Sequence, residues 1–458
     1  MNLGFLKFAK DSYSSTGKYK IHSMRSFGLA ISLLLASALI IMILIVYLWR
    51  RKSQPHFAII FLSSFLMAFP VSGLIHLLRN PTKGYFNLHQ NGLQYLSSQA
   101  ALMVLGMSAC ITLCYVNQKE ARSQGREQFT FDKKISTFML ISSAPLLAVG
   151  AFASENLSKA FELQIYNRVI SVSDGNARYA YIAVWGVWGA IFLGSAILDK
   201  FHFSKIGNFV VAGATVISIF HLLNWTGSRL APLIYAGTFV VGNFMYLKSA
   251  PRLSIPFGVT GYLVFAILTT NRRSLGYSGE QNFSFLDVID WQAGRFSILG
   301  GSIWTADING YLHGESFIFT WKLLTEGVEK LLDLPAQLEI GNTQSISQVL
   351  GYGILGSDKI NYIAPGLLVE IFLNFGFPGM LLSIPICIFL LNQIQLNYKK
   401  STDKLGRMIH FYFGSILIHC AIISSSMSLL GSFVFNPIPI YFLFLYSRIK
   451  RGLPKNDF

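Results

Sequence analysis

Charge is what this chain has least of. Asp, Glu, Lys and Arg make up 13% of its 458 residues, where a soluble globular chain carries about a quarter. With 52% hydrophobic residues and a mean hydropathy of +0.49, this depletion excludes an ordinary water-soluble domain. Acidic residues are the scarcer sign, 21 against 37 basic, for a formal charge of +16. That excess has no basic, aromatic-interleaved soluble domain to occupy, which excludes nucleic acid as a partner. Cysteine is nearly absent. Cys110, Cys114, Cys387 and Cys420 all fall within apolar segments. Cys110 and Cys114 stand one helical turn apart without a nearby His or acid, so they read as small core- or lipid-facing residues, not as a metal or redox pair. Internal repeats and low-complexity tracts are missing, which argues against the inverted halves of a secondary transporter. Phosphate loops of the Walker type, the zinc helix H-E-x-x-H and the nucleophile elbow G-x-S-x-G are also missing.

What the chain has is apolar runs, many of about 18 residues or more, the length that crosses a hydrocarbon core of about 30 Å. They predict an all-α polytopic membrane protein with about eleven spans. The spans fall near 27–49, 57–78, 93–117, 135–153, 179–198, 206–224, 229–247, 253–270, 363–391, 409–427 and 432–447. This divides the chain into a basic N-terminal segment (1–26), a bundle of about eight helices (27–270), one large loop (271–362), about three further helices (363–447) and a tail (448–458). Pro70, Pro145 and Pro256 lie within spans, where neighbouring helices can satisfy the freed backbone groups.

Lys and Arg set the orientation. Six connections, beginning at Arg50, Lys119, Lys200, Lys248, Lys399 and Arg448, hold 20 of the 37 basic residues. The alternate short loops hold five, and the long loop six. The positive-inside rule therefore places the long loop outside and the C-terminus in the cytoplasm. The N-terminus resists, because Lys7, Lys10, Lys18, Lys20 and Arg25 precede a first helix that should start outside. A start at Met24 would remove four of those five charges. The first apolar run is too long, and its exit too basic, for a cleaved signal peptide.

The stretch from Thr270 to Tyr362 is the one segment large enough to house chemistry, since short loops cannot build a site. Candidate residues cluster in and around it. Arg229 opens a helix in Thr226-Gly-Ser-Arg229 and is the only charge between Lys205 and Lys248. Amides and a guanidinium there make a natural anion site. The alternative is an Arg snorkelling to the interface, but Arg at a helix N-terminus opposes the macrodipole, which favours the anion site. Arg272 and Arg273 close the eighth span and can face a diphosphate or simply solvate a helix end. Arg295 lies inside the loop, where it can bind an anion or pair with Asp287 or Asp290. Arg168 and Arg178, on the other sizeable outer loop, suit an acidic ligand, although pairing with Glu162 or Asp174 is the plainer reading. His313 is the only histidine of the long loop and stands beside Glu315, a candidate general base or an exposed loop residue. Glu370 and Asn374, four apart, form with Gly366 a polar stripe near the outer end of span nine. An acid inside a membrane helix is costly and marks function; Glu370 is either a base or a counter-ion holding an arginine.

These positions resemble the Wzy-type polysaccharide polymerases, which join O-antigen and enterobacterial-common-antigen repeat units. The likeness covers roughly 200–380 together with the number and length of spans. It rests on Thr226-Gly-Ser-Arg229, the Arg272-Arg273 pair, Arg295, Gly314-Glu-Ser-Phe317 and above all Ala364-Pro-Gly-Leu-Leu-Val-Glu-Ile-Phe-Leu-Asn-Phe-Gly376. The resemblance implies a multi-pass enzyme of the inner membrane, similar to the GT-C glycosyltransferases, that needs no cofactor, metal or nucleotide sugar. Its substrates would be undecaprenyl-diphosphate-linked oligosaccharides, and its partners a chain-length regulator and a flippase. The diphosphate would meet Arg229, Arg272, Arg273 and Arg295. Glu370, His313 and Glu315 would be the catalytic candidates, and Arg168, Arg178 and Asn374 would contact the acceptor glycan. An O-antigen ligase or a lipid-linked oligosaccharide flippase are the alternatives.

Overall fold

A computed structural model describes residues 19–50, 56–79, 88, 95–117, 133–163, 177–201, 204–223, 230–244, 286, 294–322, 346, 349–350, 364–401 and 404–452. Among the described residues the secondary structure is helical, without strands. The helices are α1 (Tyr19–Arg50), α2 (His56–Leu66), α3 (Ser72–Arg79), α4 (Tyr95–Val116), α5 (Lys133–Leu163), α6 (Ala177–Lys200), α7 (Lys205–Leu222) and α8 (Leu230–Phe244). After them come α9 (Phe296–Asn309), α10 (Leu367–Lys400), α11 (Lys404–Ile422), α12 (Ser426–Val434) and α13 (Ile438–Gly452).

Among the described residues, nine helical segments are long and apolar enough to cross a membrane, and Ala231–Phe244 is a shorter apolar helix. Together they match ten of the expected spans. The expected span 253–270 lies outside the described residues. The chain is thus a polytopic helical membrane protein.

Three spans are broken, each with a visible cause. Between α2 and α3 the residues Met67–Val71 form a π-turn around Pro70, which has no N–H to give the helix. In α10, Gly376 leaves the helix at φ 69, a left-handed conformation that suits glycine. The part beyond it, running to Lys400, is about 36 Å long and can cross the bilayer alone. The turn bearing Glu370 is therefore an added cap on the span. The last span breaks at 435–437, beside Pro437. Indoles from α6 satisfy the carbonyls released there: Trp185 donates to Phe435 O at 3.0 Å and Trp188 to Asn436 O at 2.8 Å.

Two large apolar cores share α11, and a small third cluster, Ala153, Leu157 and Ala183, joins α5 to α6. The first is built by α1, α2, α4, α9 and α10, and includes Leu417, Ile418, Ala421 and Ile422 of α11. The second is built mainly by α5, α6, α8 and α13, and includes Leu405, Met408, Tyr412 and Ile416 of the same α11. The cysteines behave as small packing residues: Cys387 and Cys420 are buried, and Cys110 lies 3.6 Å from Leu381 O.

One end of the bundle is tied by polar contacts. Asp199 at the end of α6 accepts from Lys404 at the start of α11 and from Ser136 near the start of α5. Near the end of α10, Gln395 accepts from Phe57 N at the start of α2. This is also the basic end, where Arg50, Lys200, Lys399, Lys400, Lys404 and Arg407 gather at helix termini.

Candidate functional site

At the opposite end from those lysines and arginines, α11 runs into the corner Ile423-Ser424-Ser425-Ser426, and α12 starts. A corner between two helices leaves carbonyls unsatisfied on one side and amides on the other. Buried charged side chains from elsewhere in the chain meet both needs. Arg295, 4% exposed, donates to Ile423 O at 3.0 Å just past the C-terminus of α11, and to Gly294 O at 2.7 Å. Its own amide donates to Ala68 O inside the π-turn at 2.6 Å. Glu370, fully buried, accepts from Ser426 N at 2.7 Å at the N-terminus of α12. A guanidinium at a helix C-terminus and a carboxyl group at a helix N-terminus each match the local dipole. The N-cap of α12, Ser425, makes no side-chain cap bond, so Glu370 fills that role from another helix.

Glu370 also reaches the long loop. Its Oε1 accepts from Ser316 Oγ at 2.8 Å and from Ser426 Oγ at 2.7 Å. Hydrogen bonds to a charged group contribute about 1.5–3 kcal/mol each, enough to hold an acid where an apolar site would reject it. Asn374 extends the network: its Nδ2 donates to Ser316 Oγ and to Glu370 O, both at 2.8 Å, and its Oδ1 accepts from Gly314 N at 2.9 Å. Thr320 Oγ1 lies 3.0 Å from Ser426 Oγ. Close packing seats the cap, since a Cβ on Gly366 (φ +85) would meet Ile422 O at 2.3 Å.

The outcome for the polar stripe is specific. Glu370 and Asn374 share one face, as their spacing implied, but the partners of Glu370 are serines and an amide, not an arginine. Asn374 is fully buried and holds Gly314 and Ser316. Arg295 is likewise brought to the corner as a buried helix cap.

What the network holds is the turn 311–316. Leu312 N donates to Leu373 O at 2.9 Å and His313 N to Asn374 O at 3.1 Å. These bonds keep His313 at φ 47, a left-handed conformation rare for a residue with a Cβ. His313 and Glu315 are exposed, while Ser316 is buried. Two of the three catalytic candidates from the sequence, His313 and Glu315, thus stand on a turn fixed from below by the stripe, which carries the third, Glu370.

Arg229, Arg272, Arg273 and Arg168 lie outside the described residues, as do Asp287 and Asp290. Arg178 is placed in the first turn of α6, with its side chain outside the description.

Sequence reasoning missed several members. Ser316, Thr320 and Ser426 are common residue types without a recognisable spacing. His419, in the last turn of α11, is half-buried near Arg295, and its buried Nδ1 has no hydrogen-bond partner. Helix α9 was missed as well: fourteen residues are too few to span, yet Phe296, Ile298, Leu299 and Ile303 bury it in the first core. Its small residues allow close approach, and Leu88 packs onto Gly300.

Fold and corner together define a multi-pass helical membrane protein whose long loop is anchored into the bundle by a buried polar cluster. No family model matches the chain, and no curated protein and no solved structure matches it.

Proposed function

We propose that this chain is a membrane glycosyltransferase that polymerises polyprenyl-diphosphate-linked oligosaccharide repeat units at the outer face of the cytoplasmic membrane. The single observation carrying this reading is the rigid turn that presents His313 and Glu315 at the bundle end remote from the basic helix termini. Positive-inside logic puts that end outside, where lipid-linked glycans are assembled and no nucleotide sugar is at hand. The likeness of Ala364–Gly376 and Thr226–Arg229 to the Wzy-type polymerases supports the same reading.

In this reaction the terminal sugar hydroxyl of one lipid-linked unit attacks the anomeric carbon of the growing chain. A new glycosidic C–O bond forms, the C–O bond to diphosphate breaks, and polyprenyl diphosphate leaves. His313 or Glu315 takes the hydroxyl proton. The leaving diphosphate gains charge, so guanidiniums stabilise the transition state more than the ground state. Arg229, Arg272 and Arg273 are assigned that role, and Arg168 and Arg178 the acceptor. Glu370, Asn374 and Arg295 are positioning residues.

The test is the surface glycan of a strain lacking the gene. Single repeat units on the surface lipid, with the long-chain ladder gone, are expected. Absence of any repeat unit at the surface would indicate a transporter. Full-length polymer left on its lipid carrier would indicate a ligase.

A further inference from the structure

We infer that the turn 311–316 and the rings beside it form a carbohydrate-binding subsite for one pyranose ring of the glycan, an inference that rests on the polymerase reading. Tyr311 is 44% exposed, yet its ring is fixed: it packs edge-on to Phe372, with centroids 6.0 Å apart, and its Cζ would lie 3.2 Å from a Cβ placed on Gly376. Phe375, 52% exposed, stacks parallel to Phe317 at 6.1 Å and 10°. Its ring tip would lie 3.7 Å from a Cβ on Gly314. The two exposed rings therefore flank the His313-Gly314 turn, glycine at 376 giving the Tyr311 ring its seat and glycine at 314 leaving room for the Phe375 ring.

Hydrogen-bonding groups alternate with these rings. Asn309, His313 and Glu315 are exposed along the same stretch, and Tyr311 carries its own hydroxyl. A lipid tail would use the rings and strand the polar groups, whereas a free anion would use neither ring. A pyranose uses both, because it has an apolar face of C–H groups for a ring and a rim of hydroxyls for imidazole, carboxylate and amide. The strained φ of His313 points the same way: the backbone bonds to Leu373 and Asn374 over-determine the turn, so the groups are in place before any ligand arrives.

The test uses the full-length protein in lipid nanodiscs, with the repeat-unit oligosaccharide released by mild acid from the strain's own surface polysaccharide as probe. Saturation-transfer NMR and a titration read binding, and chain length in the complemented null strain reads polymerisation. Leucine at 311 or 375 keeps the apolar bulk but removes the ring, whereas Tyr311→Phe and Phe375→Trp keep a ring. Expected are roughly tenfold weaker binding and shorter polymer for Tyr311→Leu and Phe375→Leu at matched abundance, with Phe375→Trp near wild type. If both leucine variants bind and polymerise like wild type, the rings only rest at the bilayer interface and the subsite is refuted. The subsite is equally refuted if the wild type fails to bind the probe while loss of the gene abolishes polymer. An unchanged surface glycan after gene loss would instead overturn the polymerase reading itself, and the subsite with it.

Discussion

Replacing Glu370 by Gln changes one oxygen to an amide nitrogen, in a place where three donors converge. Ser426 N, Ser426 Oγ and Ser316 Oγ all approach the carboxyl group within 2.8 Å. A hydroxyl can turn and accept, but a backbone N–H cannot. The glutamine oxygen must therefore serve Ser426 N, and its NH₂ then faces the two hydroxyls. Ser316 Oγ already accepts from Asn374, so its own hydrogen is left without an acceptor in a buried site. Such a loss costs about 1–3 kcal/mol. It falls on local stability, since the network ties the turn 311–316 to α10 and α12 at one end of the first apolar core. Amide hydrogen exchange resolved to peptides is the suitable assay, because it reports local opening. The amides of Leu312, His313, Gly314 and Ser426 should exchange roughly five- to a hundredfold faster in Glu370→Gln. Amides in the middle of α6 and α11 should be unchanged. Equal protection of the turn in variant and wild type would refute the anchoring role and return Glu370 to direct chemistry.

Gly366→Ala should prevent stable folding, because its Cβ would meet Ile422 O at 2.3 Å, whereas Gly213→Ala, with nothing within 4 Å, should melt at or slightly above the wild-type temperature in detergent, by up to about 1 kcal/mol. For topology, cysteines at 315 and 340 should label with impermeant reagents in spheroplasts and one at 125 should not; labelling at 125 alone reverses the orientation. Position 300 is unsuitable as a probe, since Leu88 covers it. The two arginine roles separate by abundance. Arg295→Ala should lower the amount of folded protein on quantitative blots, through loss of the bonds to Ile423 O and Gly294 O. Arg229→Ala should abolish polymer at near-normal abundance, with Arg229→Lys recovering only part of the rate, roughly ten- to a hundredfold down.

The spans were legible because a bilayer demands length and hydropathy, and both are written locally. The pairing of Glu370 with Asn374 was legible too, since four residues make one helical turn. Their partners were not. Ser316 lies 54 residues from Glu370 and Ser426 lies 56 away, and nothing local links a serine to a distant acid. The corner at 423–425 fell within the expected span 409–427, because three serines barely lower the hydropathy of such a run. The break at Gly376 was hidden for the same reason: Phe377, Met380 and Leu381 carry the apolar pattern straight through it. That Arg295 also caps a helix from a buried position was not legible, because a sequence reveals charge but not burial.

Sharing α11 between two cores has a consequence in time. The bond from Phe57 N to Gln395 spans 338 residues, and the first core has no α10 or α11 until those residues emerge. At about 5–20 residues per second, synthesis leaves the start of α2 waiting in the bilayer for roughly 17–70 s before Gln395 is made. During that interval the hydroxyls of Ser72 and Ser108 can keep the carbonyls of their own helices, Ala68 O and Val104 O, but the apolar faces that later meet α10 and α11 have only lipid to pack on. The closing of both cores is therefore a single late event, and a chain cut short before Lys404 leaves each half without the helix it packs on.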